Sequence, residues 1–293
     1  MIKLKKPTPT RWLKLKSDQF RSMFREIQTR MNLDYIITAL ANSFVGRNGL
    51  IDGLMYQVCF TFILCTVPLT ALLTFLWNEN ASDLTRIRLL AGAAGIGFSG
   101  LVCRLLQTIL PMIGLGRTRP LYDPNLRDII HWPIGLPPHT LEYQSSWPSD
   151  SAAWLFGLGL LIWLRGGKRL GIPALCFAAF SSTTRIPMGF HFFSDILCGA
   201  AIGLLMVLAS QILPIPRLAF KALDLQRKWP VAFTVAMFAA MYSLATFCAD
   251  LRTLASVIHP NPGRGAELAR QDSPTVLSAK IQAGWRGPDF ASE

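Results

Sequence analysis

Long stretches without charge constrain this chain more than any other feature. Leu54 to Trp77 carries none, and about Leu89 to Leu110 is apolar apart from Arg104. Further apolar runs cover Ser151 to Leu164, about Leu170 to Thr184, Phe192 to Leu213 and Trp229 to Ala249. About twenty such residues span a hydrocarbon core as a helix. Only 16% of the 293 residues are charged and 51% are hydrophobic, where a soluble domain carries about a quarter charged residues. The pattern predicts an all-α, polytopic membrane helical bundle with about six transmembrane helices. A β-barrel would need short segments of strict alternation, and none is seen.

Between the runs lie tight links. Pro68 predicts a kink in the first span, and Arg165-Gly-Gly-Lys168-Arg169 a basic turn between the third and fourth. Gly199-Ala-Ala-Ile-Gly203 on the fifth permits close helix contact. Three parts follow: a basic amphipathic and interfacial N-terminal segment over 1–50, a membrane-embedded domain over 51–250 and a disordered polar tail over 251–293. In the first, Phe20, Met23, Phe24, Ile27 and Met31 recur at helical spacing behind Ser17-Asp18. That predicts a helix lying on the membrane surface. The net charge of +12 is explained by anionic lipid and the positive-inside bias rather than by nucleic acid. The charged, proline-containing start predicts no cleavable signal peptide. The six cysteines show no CxxC spacing and read as packing residues; no metal site and no cofactor are expected.

One stretch concentrates ionisable groups: Arg185-Ile-Pro-Met-Gly-Phe-His191-Phe-Phe-Ser-Asp195. Charges at a membrane boundary are costly unless paired, so they mark either a buried salt bridge or a site. On a helix, His191 and Asp195 at i, i+4 would share a face, the carboxylate holding one ring nitrogen and freeing the other. Residues 111–149 form a loop too long to be mere connection. Counting spans puts this loop and 185–191 on the same side. The loop brings Gly116-Arg117-Thr118-Arg119-Pro120 and Pro148-Ser149-Asp150-Ser151. Arginines, a serine and the free amides of a helix start make an anion site. With His191 as nucleophile, the chemistry expected is phosphoryl transfer.

In these three blocks the chain resembles the type-2 phosphatidic-acid phosphatases, integral-membrane lipid phosphatases, and looks most like the bacterial undecaprenyl-diphosphate phosphatases among them. The family pattern is Lys-x6-Arg-Pro, Pro-Ser-Gly-His and Ser-Arg-x5-His-x3-Asp. Here Thr184-Arg185-x5-His191-x3-Asp195, Arg119-Pro120 and Pro148-Ser149 match. Met112 stands at the lysine position, Asp150 replaces the glycine and Ser151 stands where the histidine belongs. The resemblance implies that His191 forms a phosphohistidine and that Asp195 orients it. It further implies that Arg119, Arg185 and Ser149 hold the phosphoryl oxygens. Arg117 either replaces the lysine charge or is a plain phosphate-facing or solvated group. The missing histidine protonates the leaving group in the family; Asp150, His139 or His131 are the alternative proton sources.

A lipid monophosphate leaving from a diphosphate needs that proton least, so a lipid diphosphate substrate is expected. Two alternatives stand beside hydrolysis: phosphotransfer to a glycolipid or saccharide acceptor, and a degenerate protein that binds or moves a lipid phosphate. The short basic links at Arg86/Arg88, 165–169 and 217–228 fall opposite the loop side. If they are cytoplasmic, the site faces the periplasm from a bacterial inner membrane, although the basic N-terminal segment counts to the same side as the site.

Overall fold

The computed structural model describes residues 32–245 apart from 80, 81, 138, 143 and 213–215. The expected surface helix over 17–31, the polar tail and the last residues of the sixth run lie outside the described residues. Among the described residues the chain is helical throughout, without strands. Two of its helices are long and apolar enough to cross a membrane.

Helix α1 (Asn32–Asn42) comes first. The first apolar run then forms α2 (Gly49–Phe60), a short α3 (Phe62–Cys65) and α4 (Val67–Asn78). Asn48 starts α2, its side chain accepting from the amides of Leu50 and Ile51. A single helix kinked at Pro68 was expected. Instead the run breaks at Thr61, which takes an extended backbone, and at Thr66. Pro68 sits in the first turn of α4, where its missing N–H has no partner to lose.

Helix α5 (Asp83–Met112) is capped by Ser82 Oγ, which accepts from Thr85 N. A 3-10 turn over Pro120–Tyr122 lies in the long loop that follows. Helix α6 (Asp150–Thr183) contains both the third and fourth runs, interrupted at Gly167, where φ is 72° and ψ is −174°. Only glycine adopts that conformation readily. The chain reverses there. A Cβ on Gly171 would meet Trp163 Cα at 2.5 Å and one on Gly159 would meet Leu175 Cδ2 at 2.9 Å, pairs evenly spaced about the turn.

Helix α7 (Phe193–Ile212) packs on the start of α6 through Gly199 and Gly203. A Cβ on either would stand 2.0 Å from a backbone oxygen, of Ser149 and Ala153 respectively. These glycines let the two backbones touch. The basic link then folds into α8 (Pro216–Lys228), whose Leu223 packs on Ile87 while Arg227 pairs with Asp83. Helix α9 (Pro230–Ala245) begins beside α4, Phe233 stacking on Trp77 with centroids 5.9 Å apart.

Charge is sorted to the two ends of this bundle. At one end Arg86 lies over Trp77, Arg88 donates to Gln211 O, and Gly166 lies against Leu76. At the other end, the long loop, residues 184–192 and α1 come together. Between the ends the usual arrangement is inverted. Phe98, Leu101, Leu105 and Ile109 on α5, and Leu197, Leu205 and Ile212 on α7, point outward, while Ser99, Gln107, Ser181, Ser182 and Ser210 are buried. An apolar exterior of this extent needs an apolar solvent or partner.

Candidate active site

His191 lies in the turn between α6 and α7, two residues before α7 begins. It is buried, at 2% exposure. Its Nδ1 stands 2.8 Å from the carbonyl oxygen of Ser146. A carbonyl can only accept, so Nδ1 carries the proton and Nε2 carries the lone pair. On that side stands a guanidinium, with Arg119 Nη1 at 3.5 Å. Burial pushes the imidazole below its ordinary value; Arg119 and Arg185 push the same way, while Asp195 opposes them. His191 is therefore a neutral ring at neutral pH, with its unprotonated nitrogen facing a cation.

Asp195 sits otherwise than its spacing suggests. The i, i+4 geometry requires both residues on one helix, but α7 starts at Phe193 and leaves His191 outside it. Asp195 Oδ2 is 3.8 Å from Nδ1, beyond hydrogen-bond reach. It accepts instead from the Phe192 amide at 2.8 Å, and Oδ1 pairs with Arg117 at 2.7 Å. The group that directly orients the imidazole is the Ser146 carbonyl.

The long loop is stitched to this turn by backbone bonds. Ser146 N donates to Arg117 O, Leu121 N to Gly189 O, and Ser149 N to Asp195 O. Arg119, 3% exposed, donates to the carbonyls of Leu141, Gln144, Ser145 and Phe190. It thus ties the loop to the His191 turn while holding its charge beside Nε2. Burial lowers its pKa to about 10, with Asp150 and Asp195 opposing, so it stays charged at neutral pH. Arg185, 7% exposed, donates through Nη2 to Cys59 O, and its buried Nε has no partner. Ser149 caps α6, its Oγ accepting from Ala152 N and lying 3.1 Å from Ser151 Oγ.

Three readings change. Arg117 is neither solvated nor a free stand-in for a lysine. Its guanidinium pairs with Asp34 and Asp195, each at 2.7 Å, and lies 3.9 Å from the Phe192 ring centroid. Asp150 is taken up as an acceptor, by Arg104 at 2.8 Å and by the Ser151 amide, so it is poorly placed to give a proton. His139 pairs with Glu142 in the loop, and the backbone of His131 bonds Asn42. Neither histidine has a contact with His191. Met112, at the lysine position, is 78% exposed.

Two charged residues join the cluster without having been singled out for it. Arg104, on α5, also reaches Gln107 and Gln144; in the sequence it reads as a charge within a span that either snorkels or lines an internal cavity. Asp34, on α1, is buried against Arg117 and Ser194. Its signal was the polar stripe Asp34, Thr38, Asn42 at intervals of four. Beside the cluster, an open cleft of about 340 Å³ is lined by Pro111, Gly116, Arg117, Thr118, Gln144 and Ser145.

A family model described as the PAP2 superfamily matches residues 88–217. No match was found among curated proteins or solved structures. The matched stretch holds Arg104, Arg117, Arg119, Ser149, Asp150, Arg185, His191 and Asp195, and it supports the type-2 phosphatidic-acid phosphatase superfamily, whose members are phosphatases.

Proposed function

We propose that the protein is a membrane lipid phosphatase that hydrolyses a polyprenyl diphosphate or a related lipid phosphate through a phosphohistidine. The observation that carries this reading is the fixed tautomer of His191, proton on Nδ1 against Ser146 O, lone pair on Nε2 beside Arg119. Nε2 attacks phosphorus, the N–P bond forms and the bond to the leaving oxygen breaks. Arg119 and the unpartnered Nε of Arg185 receive the charge on the equatorial oxygens. The ring becomes a cation as it attacks, and the Asp195 carboxylate 3.8 Å from Nδ1 stabilises it. Water then attacks the phosphohistidine, releasing inorganic phosphate and restoring the neutral ring. The cleft beside Arg117 and Ser145 gives a headgroup a way in.

Ser151 shapes substrate choice. Without a histidine at this position, the leaving oxygen is not protonated from α6. General acid catalysis contributes roughly 10²–10⁴-fold, and an alkoxide leaving group needs it while a lipid monophosphate does not. Phosphate release by detergent-purified protein tests this. Undecaprenyl diphosphate should be turned over far faster than phosphatidic acid, and Ser151→His should narrow the gap by raising the slower rate. Equal rates in the wild type, or no gain in the variant, would remove the leaving-group explanation. No release from any lipid, and no transfer to an acceptor, would remove the enzymatic reading.

The same reading places six helical passes in a bacterial inner membrane, with the charged links around Arg86, 165–169 and α8 cytoplasmic and the site facing the periplasm. The apolar flanks of α5 and α7 support the membrane, and the short basic links support the orientation.

A further inference from the structure

We propose that Asp34, on a helix outside the matched segment, is a positioning residue for the catalytic histidine, acting through Arg117 and Asp195. The inference rests on the phosphatase reading only for its kinetic consequence. Asp34 is 1% exposed and Asp195 is fully buried. One guanidinium lies between them: Arg117 Nη2 donates to Asp34 Oδ2 and Nη1 to Asp195 Oδ1, both at 2.7 Å. The start of α7 closes the ring. Ser194 N donates to Asp34 Oδ1 at 3.0 Å, Ser194 Oγ bonds Asp34 Oδ2, and Arg117 Nη1 reaches Ser194 Oγ at 2.7 Å. Tyr35, next to Asp34, packs its ring on Phe192 with centroids 5.4 Å apart.

Two buried carboxylates sharing one cation leave a net negative charge, and the shared geometry decides where it acts. Arg117 divided between two anions neutralises Asp195 only in part. The remainder of that charge faces the imidazole across 3.8 Å and is available when the ring becomes a cation during attack. Remove the charge of Asp34, and Arg117 turns wholly to Asp195. The carboxylate then offers less to the histidine, although every residue of the reaction is still present. Helix α1 is otherwise anchored to the same end of the bundle. Asn42 donates to His131 O and Pro187 O, and Tyr35 Oη donates to Asp123. Asp34 therefore has a fixed place from which to act.

Asp34→Asn keeps the shape and an oxygen for the Ser194 amide while removing the charge. The expected result is a kcat lower by roughly 10–100-fold, the range for residues that act through a functional ligand's partner, with KM little changed. Coupling is read from the pair: in an Arg117→Gln background, Asp34→Asn should cost almost nothing further. The second readout needs no turnover. The protein has four histidines, so His191 can be followed by NMR of labelled rings. The charges facing it are Asp195 from α7, Arg119 and Asp150 from the loop and the start of α6, and Arg185 from its own turn. Asp34→Asn lets Arg117 neutralise Asp195, the group of this set nearest Nδ1, more fully and should lower the His191 titration midpoint. A fall in kcat with an unchanged midpoint would make α1 merely structural and overturn the proposal. So would independent, multiplicative losses in the double variant. If the wild type releases no phosphate at all, the functional reading fails, and the midpoint alone still decides the role of Asp34.

Discussion

At the scale of the residue, the site is a set of charges that hold one another in place around a neutral ring. Burial lowers the pKa of His191 more than Asp195 restores it. The sign follows directly. The nucleophilic, unprotonated form persists as pH falls through the ordinary histidine value of about 6.5, so the acid limb of kcat/KM should lie below that value. A limb at or above it would contradict the buried, neutral ring. The unfolded chain takes up a proton below about 6.5 that the folded chain refuses, so His191 also weakens folding progressively below that pH. How much of this could be read from sequence varied by residue. His191, Arg119 and Arg185 were legible because their spacing and shared side identify them without coordinates. The partner of His191 was not. Its orienting group is a backbone carbonyl, which no side-chain pattern encodes, and the Asp195 spacing misleads because α7 begins two residues later than the pair requires. Arg117 was found as a residue but not in its role, since one of the two anions that engage it lies 83 positions away.

At the scale of the element, helix starts and helix contacts bring the three blocks together. Ser149 begins α6, Asp195 sits in the first turn of α7, and the two glycines of α7 let Ser149 N reach Asp195 O at 3.0 Å. That Gly199-xxx-Gly203 contact was visible in the sequence as small residues at helical spacing. The breaks at Thr61 and Thr66 were not, because two threonines in an apolar run carry no strong signal against a helix. Helix α1 shows a third case. Leu33, Ile36 and Leu40 are exposed while Asp34, Thr38 and Asn42 are buried. Its polar face is turned to the protein and its apolar face outward. That arrangement suits an interfacial helix resting on lipid, and an apolar stripe alone would have been assigned the opposite orientation.

At the scale of the whole molecule, the apolar sides and charged ends are consistent with a helical membrane protein, with His191 at one end. Which end faces out is open to labelling. A cysteine placed at exposed Arg127, in the loop beside the site, should react with an impermeant reagent in intact cells above the background of the unaltered chain. Protection until the cells are lysed would reverse the orientation. The charge sorting was legible because basic links lie close to the apolar runs. The contribution of α1 was not, because it depends on a contact between the N-terminal segment and a stretch more than eighty residues on. The proposed chemical event is the transfer of a phosphoryl group to Nε2 of His191. The most direct measurement is to quench the purified protein during turnover of a lipid diphosphate, keep it alkaline to preserve phosphohistidine, and locate the phosphate by mass spectrometry. The account predicts phosphate on His191, and in His191→Ala neither the adduct nor more than a trace of phosphate release. Phosphate on another residue, or undiminished release by His191→Ala, would contradict it.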